Sequence, residues 1–158
     1  EYPTSEQMAE IAISTARVVR LFGFDPKVAF VSHSTFGQPL TSRTKHIRNA
    51  VDILKEKKVD FEFDGDMQPD VALDSEYEEL YPFSKIVGKA NILIMPGQHS
   101  AAISYKMMKT FGDTKVIGPL LIGLGLPIEI APLRSSTSEL INLASIAAYS
   151  ADVIDYKK

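Results

Sequence analysis

The chain has 158 residues, 45% hydrophobic and 23% charged, so it can bury one full core and has the composition of an ordinary soluble domain. Its formal net charge of -3 gives no basic surface for nucleic acid, and no apolar run approaches the roughly 20 residues of a membrane helix. The absence of cysteine excludes disulfides and thiolate chemistry, so we expect a cytoplasmic protein. Because the chain begins at Glu1 without methionine, we expect a single domain, residues 1–158, excised from a longer protein.

The first elements alternate between helix and strand. Residues 1–22 predict an amphipathic helix, because Thr4 and Gln7 have the spacing of a capping box and apolar residues follow at helical intervals. A glycine and a proline end this helix. Lys27–Val31 is then predicted as a short strand, and the polar segment 32–39 follows it.

A second helix is predicted over residues 41–58, with apolar residues facing inward and basic residues facing outward. Residues 59–64 alternate between apolar and acidic side chains, which indicates a strand with one wetter face, and Gly65-Asp66 predicts the turn after it. Residues 68–81 are acidic and weakly helical, in two short pieces, and their pattern indicates no role.

The central unit of the chain is strand, glycine turn, helix and strand. Residues 90–95 form an apolar run typical of a buried strand, and Ser100 is placed to cap a helix that ends near residue 111. A further buried strand is predicted at 116–122, and a closing helix at 135–149.

This alternation predicts an α/β fold with three layers, α/β/α, around a mainly parallel sheet. The sheet is expected to contain Lys27–Val31 and residues 59–63, 90–95 and 116–122. Because ligands bind beyond the carboxyl ends of parallel strands, segments 32–37, 64–66 and 97–100 are expected to converge at one crevice.

Local residue chemistry does not name a reaction. His33, His99, Asp64 and Asp66 include ligand types that suit divalent ions, but their spacing matches no ligand motif, so we predict no metal site. The chain has no nucleophile elbow, no Walker motif and no dinucleotide fingerprint. His46 lies among basic residues and is expected to be plain surface. For Gly37 and Gly97, close approach to a ligand and a plain turn are equally good interpretations.

Four motifs do carry a family resemblance. PKVAFVSHST-x-G, DGDMQPDVAL, GKANILIMPG and YK followed by GPLLIGL occur in this order and, together, resemble the phosphate acetyltransferase family over residues 4–148. The stretch YPFSKIVGKANILIMPGQHSAAISYK with VIGPLLIGL resembles more closely the C-terminal phosphotransacetylase-like portion of hybrid bacterial malic enzymes. The resemblance implies a lobe of the phosphotransacetylase fold, similar to isocitrate and isopropylmalate dehydrogenases. It covers the later part of a module that has two lobes.

The resemblance also implies that catalytic groups are missing. Family members carry a Ser-Arg pair after the GPxxxGL strand, where this chain has Pro132 and Leu133, and an acidic residue at the position of Glu139. Two further family positions, an asparagine and a serine, are occupied by Ala102 and Gln38. Phosphate transfer needs fork-like cationic donors and stabilisation of transition-state charge, so we expect no catalytic residues here.

We therefore expect the regulatory portion of an NADP-dependent malic enzyme, which senses acetyl-CoA or a related acyl-CoA. The parent enzyme would use NADP and a divalent metal, while this segment carries no cofactor of its own. The apolar helices at 100–111 and 135–149 predict self-association as a homodimer or a larger oligomer. The alternative is part of an active phosphate acetyl- or butyryltransferase that makes acyl-CoA from acyl phosphate, which the Pro132-Leu133 replacement disfavours.

The ligand is expected at the strand-end crevice. Hydroxyl groups and backbone N–H groups after the first strand would face similar groups at the start of the central helix. The helix dipole makes the N-terminus of this helix favourable for an anion. Nearby arginines and a lysine would neutralise nucleotide phosphates. The predicted ligand-binding residues are Ser32, Ser34, Thr35, Gly37, Gly97, His99, Ser100, Arg43, Lys45 and Arg134.

Overall fold

A parallel sheet of three strands lies at the centre of the first part of the chain. The structure is a computed structural model that describes residues 1–112 and 115–153. The strands are β1 (Lys27–Val31), β2 (Glu62–Met67) and β3 (Ile92–Ile94), in the spatial order β2-β1-β3. Because β1 is parallel to both neighbours, all three carboxyl ends lie at the same edge of the sheet. The predicted α/β class is confirmed.

Two long helices, α1 (Ser5–Leu21) and α2 (Ser42–Glu56), pack together on one face of this sheet. Capping boxes at Thr4 and Thr41 fix where the two helices begin. Their apolar stripes and the facing strand residues form the main core. Its buried members are Met8, Ala9, Ala12, Ala16, Val28, Phe30, Ile47, Ala50, Val51, Leu54, Phe63, Ile92 and Ile94.

Shorter elements cover the opposite face. These are α3 (Pro69–Leu73), a 3-10 helix (Ser75–Glu79) and the segment that leads to Ala90. Alternate β1 residues point to this side, where Ala29 and Val31 pack in a second, smaller core. The acidic stretch 68–81 thus forms two short helical pieces, as its pattern predicted.

The chain divides into two compact units, residues 1–104 and 105–158. The boundary falls within α4 (Gln98–Phe111), and the second unit also contains α5 (Thr137–Val153). Among the described residues of this second unit, Leu143 is the only buried hydrophobic side chain. No helix in the described ranges is long and apolar enough to cross a membrane.

The predicted fourth strand at 116–122 is wrong. The described residues there form no strand, and only an isolated antiparallel bridge joins Leu120 to Glu129. Pro119 has no backbone N–H to donate to a ladder, and Gly118 and Gly123 adopt positive φ angles of 135° and 80°. An apolar run is therefore not sufficient for a strand when glycine and proline interrupt it.

The second strand was predicted at 59–63, but β2 lies at Glu62–Met67. Gly65 and Asp66, which predicted a turn, lie inside this strand. A Cβ at Gly65 would lie 2.7 Å from the carbonyl oxygen of Phe30, so glycine permits the close approach of β1 and β2. Gly65 is therefore required by the close contact between two strands. A glycine in the sequence looks the same whether it serves such a contact or a turn.

Candidate functional site

The loop after β1, residues 32–37, is fastened to the end of β2. Ser32 N–H donates to the Met67 carbonyl at 2.9 Å, and Phe36 N–H donates to the Asp66 carbonyl at 2.6 Å. Phe36 and Gly37 adopt left-handed φ angles of 50° and 83°. This loop therefore lies at the carboxyl edge of the sheet, where the sequence predicted a polar crevice.

The buried carboxylate of Asp66 holds this loop from inside. Its Oδ2 accepts the hydroxyl hydrogen of Ser34, and its Oδ1 accepts the N–H of Gly37 at 3.0 Å. Asp66 and Ser34 both have 0% exposure. The guanidinium Nη1 of Arg48, on a side chain that is 45% exposed, lies 4.0 Å from Oδ1. The predicted ligand contact Ser34 thus faces Asp66 rather than solvent.

Hydrogen bonds within the protein use most of the loop's backbone donors. Ser34 N–H donates to Ser32 Oγ at 3.3 Å, and Thr35 N–H donates to the Gln38 carbonyl at 3.2 Å. Thr35 Oγ1 accepts the Gln68 N–H at 3.2 Å. Ser32 and Thr35 accept these bonds through oxygen, so each keeps a hydroxyl hydrogen to donate, and both residues are partly exposed. The Ser32 and Thr35 hydroxyls are therefore available as donors of this loop.

The turn between β3 and α4 carries the other predicted contacts. Gly97 is buried, and a Cβ there would lie 3.0 Å from the carbonyl oxygen of Glu1. The same carbonyl accepts the N–H of Gln98 at 3.0 Å, so one donor of the helix N-terminus is occupied. Ser100 lies inside the first turn of α4 instead of capping it, and its hydroxyl donates to the Gly97 carbonyl at 2.9 Å. His99 is exposed, with its ring centroid 6.5 Å from that of Tyr2.

The structure brings most of the predicted ligand residues to one edge of the first unit. The loop after β1 and the first turns of α2 hold Ser32, Ser34, Thr35, Gly37, Arg43 and Lys45, and the turn after the neighbouring strand β3 holds Gly97, His99 and Ser100. Arg43 and Lys45 are exposed. Arg134 belongs to the second unit, in the turn before α5.

Sequence reasoning missed two charged residues at this loop. Asp66 was expected at the strand ends, as part of a turn or as a metal ligand, but not as the carboxylate that holds the loop, and Arg48 was not distinguished from its basic neighbours. A Cβ at Gly37 would lie 2.7 Å from Arg48 Nη1, so this guanidinium packs directly against the glycine. Helical spacing cannot reveal such a contact, because it depends on how the loop folds back onto α2.

An aromatic cluster flanks the same loop. The ring centroid of Phe36 lies 5.4 Å from that of Tyr81 and 4.8 Å from that of Phe83, with the Phe83 contact edge-to-face. Phe83 is exposed, so the cluster lies on the surface.

A pocket in the first unit lies away from the predicted contacts, beside α3 and the 3-10 helix. Asp74 and Glu78 line it, together with Tyr77, whose pKa is raised by the neighbouring Asp70 carboxylate. Acidic walls disfavour an anionic ligand. Within the described ranges, no three His, Cys, Asp or Glu side chains cluster so as to hold a metal ion.

In the second unit, Glu139 is held at the start of α5. Its Oε2 accepts the Ser136 N–H at 2.7 Å, the Glu139 N–H is bonded to Ser136 Oγ at 3.3 Å, and Lys109 Nζ lies 2.8 Å from Oε1. Lys109 first, and then Ser136, lower the pKa of Glu139 to about 2. Glu139 and Pro132 line a small pocket within this unit. Leu133 is fully exposed.

Comparison with known proteins identifies the fold and the family. The chain superimposes on a phosphotransacetylase from Streptococcus pyogenes with a TM-score of 0.89 and 34% identity, covering 96% of this chain and 46% of that one. The EutD phosphotransacetylase from Staphylococcus aureus gives a TM-score of 0.84 and 31% identity, covering 94% and 47%. These matches confirm the predicted phosphotransacetylase-like fold.

Curated relatives fall into two groups of enzymes. The chain is 48% identical over 151 residues to the NADP-dependent malic enzyme of Rhizobium meliloti, covering 96% of this chain and 20% of that protein. It is 37% identical over 151 residues to the phosphate acetyltransferase of Clostridium acetobutylicum, covering 94% and 45%. The chain thus spans less than half the length of either relative. A model of the phosphate acetyl/butaryl transferase family matches residues 1–148, and the chain belongs to that family.

Proposed function

We propose that this chain is the regulatory, acyl-CoA-binding portion of a cytoplasmic NADP-dependent malic enzyme and has no transferase activity of its own. The malic enzymes of Rhizobium meliloti and Rickettsia prowazekii, at 48% and 41% identity, support the assignment. Because the chain corresponds to 20% or 21% of these proteins, a malic-enzyme part would occupy the rest of the parent. That part would convert malate to pyruvate with NADP and a divalent metal.

The observation that carries the absence of transferase activity is the residue at position 133. Leu133 is fully exposed and stands where the family resemblance expects arginine, so it offers no donor to a phosphate. Pro132, where the resemblance expects serine, has no hydroxyl to donate. Glu139 keeps the acidic character of the family position, and its two carboxylate oxygens are bonded to Lys109 and Ser136.

The polar groups at the carboxyl edge of the sheet support the proposal that the site binds acetyl-CoA or a related acyl-CoA. Ser32 and Thr35 keep hydroxyl hydrogens for an anionic or carbonyl oxygen, and the exposed His99 stands on the adjacent turn. Arg43 and Lys45 supply positive charge beside the loop. We place Gly37, Gly97 and Ser100 in the same ligand site of the first unit.

The test uses the intact parent protein. Acetyl-CoA binding is measured by calorimetry, and malate-dependent NADP reduction is measured with and without acetyl-CoA. We expect binding that is tighter than that of ADP and a change in the rate of malate oxidation, because regulation requires a coupling free energy, typically about 1–3 kcal/mol. Binding no tighter than that of ADP, with an unchanged rate, contradicts the proposal.

The alternative, an active phosphate acetyl- or butyryltransferase, is favoured by the 37% identity to the Clostridium acetobutylicum enzyme. Synthesis of acetyl-CoA from acetyl phosphate and CoA distinguishes the two, with that enzyme as the positive control. We expect the intact parent to form acetyl-CoA no faster than a reaction without enzyme. The double variant Pro132→Ser/Leu133→Arg is also expected to stay at the blank, because Ala102 and Gln38 depart from the family pattern. Turnover by the unmodified parent above the blank would establish the alternative.

The proposal includes self-association through the exposed apolar helices. Met107, Met108 and Phe111 of α4 are 52%, 61% and 80% exposed, and Leu140 and Ile141 of α5 are 47% and 60% exposed. Apolar surface of this kind commonly marks an interface, and a regulatory portion needs an interface through which to act. A homodimer or a larger oligomer is the expected assembly.

A further inference from the structure

We infer that Asp66 is the positioning residue of the proposed ligand site: its buried carboxylate sets the shape of loop 32–37 and leaves the Ser32 and Thr35 hydroxyls free to donate. The inference rests on the proposed function for the identity of the ligand. The contacts between Asp66 and the loop are hydrogen bonds seen in the structure, and they do not depend on what the ligand is.

Asp66 contacts the loop at three successive points. Its Oδ2 accepts the Ser34 hydroxyl hydrogen, its Oδ1 accepts the Gly37 N–H at 3.0 Å, and its main-chain carbonyl accepts the Phe36 N–H at 2.6 Å. One β2 residue thus fixes the half of the loop that includes the left-handed Phe36 and Gly37. A non-glycine residue keeps a positive φ only where contacts with its surroundings hold the backbone in that conformation. The hydrogen bonds from Phe36 and Gly37 to Asp66 provide such contacts.

The charge of Asp66 fits the same role. A carboxylate with 0% exposure requires hydrogen bonds and a counter-charge, and Arg48 Nη1 lies 4.0 Å from Oδ1. Arg48 also packs against Gly37, where a Cβ would lie 2.7 Å from Nη1. The loop is therefore held between a buried anion and a half-exposed cation. Asp66 touches no ligand itself, because it is enclosed by the loop that it positions.

Asp64 provides a matched control within the same strand. It is 8% exposed, and its carboxylate accepts the Gly65 N–H at 2.9 Å and the Lys85 N–H at 2.8 Å. Asp64 thus resembles Asp66 in burial and in bonding to backbone donors, but it holds the segment around Lys85 rather than loop 32–37. Asp64→Asn and Asp66→Asn make the same chemical change at two positions of one strand.

The experiment compares both variants with the unmodified intact parent by hydrogen exchange and by acetyl-CoA calorimetry. We expect Asp66→Asn to accelerate exchange in loop 32–37 and to weaken acetyl-CoA binding, each by about tenfold, since bonds to a charged acceptor are lost. Asp64→Asn is expected to accelerate exchange near Lys85 and to leave acetyl-CoA affinity within about twofold.

Unchanged loop exchange in Asp66→Asn overturns the inference, and so does an equal loss of acetyl-CoA affinity in both variants. If the unmodified parent does not bind acetyl-CoA, the proposed function fails, while loop exchange still decides whether Asp66 holds the loop. Should Asp66→Asn not fold, Ser34→Ala removes a single donor to Oδ2. Faster exchange confined to the loop in Ser34→Ala supports the inference, and exchange at the unmodified rate refutes it.

Discussion

The carboxylates of Asp64, Asp66 and Glu139 each accept a hydrogen bond from at least one backbone N–H group. An ionised carboxylate is only an acceptor, so it can hold loops and helix ends whose donors are otherwise unpaired. Glu139 does this for the first turn of α5, and Asp66 does it for the loop after β1. At the residue scale, acidic groups in this fold stabilise backbone segments.

The pKa of Glu139 predicts how its contribution to stability depends on pH. The value falls from 4.5 in an ordinary glutamate to about 2, through Lys109 and Ser136. Because the folded pKa is the lower one, the contribution is fully present above about pH 4.5 and is lost as pH falls towards 2. Glu139→Gln is therefore expected to lower the urea midpoint of the 158-residue chain at pH 7 and to lower it less at pH 3.

Urea unfolding followed by circular dichroism provides this measurement. Glu79→Gln, which removes an exposed carboxylate of the 3-10 helix, is the control and is expected to have little effect at either pH. An effect of Glu139→Gln that is equal at pH 7 and pH 3 would show that the ionised carboxylate does not stabilise α5.

Helices and strands differed in how far the sequence could predict them. β1 was predicted with its observed bounds, because a short apolar run follows the proline that ends the helical pattern. The start of α1 was predicted because the capping box is local chemistry. β2 was displaced, because Gly65 serves strand contact rather than a turn. The position of loop 32–37 at the carboxyl edge of the sheet was predicted from the strand that precedes it, whereas the contacts of Asp66 and Arg48 with the loop depend on distant partners that no local pattern specifies.

Gly65→Ala tests the tight contact between β1 and β2. The new Cβ would lie 2.7 Å from the Phe30 carbonyl oxygen and 2.8 Å from Phe30 Cβ, at a φ of 149°. We expect a loss of about 3 kcal/mol in the free energy of unfolding, from overpacking and backbone strain together.

Gly23→Ala is the matched control, since Gly23 also has a positive φ of 83° but a Cβ there meets nothing within 4 Å. Because the alanine at this site would add backbone strain alone, we expect the free energy of unfolding to fall by about 1 kcal/mol. Both values are obtained from urea unfolding. Equal losses in the two variants would mean that strand contact does not require glycine at position 65.

At the scale of the whole molecule, the two units use their apolar residues differently. The first unit buries its apolar side chains in two cores on either face of the sheet. The described part of the second unit buries Leu143 and leaves most of its large apolar side chains exposed. This contrast locates the proposed interface on the second unit.

The double variant Phe111→Glu/Ile141→Glu is expected to reduce the oligomeric state of the intact parent, because it places charge on apolar surface that association would bury. Light scattering at several concentrations measures the mass. Phe24→Glu, at a side chain that is 63% exposed in the first unit, is the control and is expected to leave the mass unchanged. A double variant with the mass of the unmodified parent would exclude this surface as the interface.

The first residues of the chain are bonded to two separate elements. The Glu1 carbonyl accepts the Gln98 N–H, and the Pro3 carbonyl accepts the N–H of His46 Nε2 at 2.9 Å. His46 is thus half-buried and hydrogen-bonded. Its basic neighbours in the sequence had suggested an exposed surface residue, so that expectation is wrong. The segment that precedes α1 therefore joins the turn before α4 to α2. Loss of either hydrogen bond would leave a main-chain carbonyl of this segment without its partner in the protein.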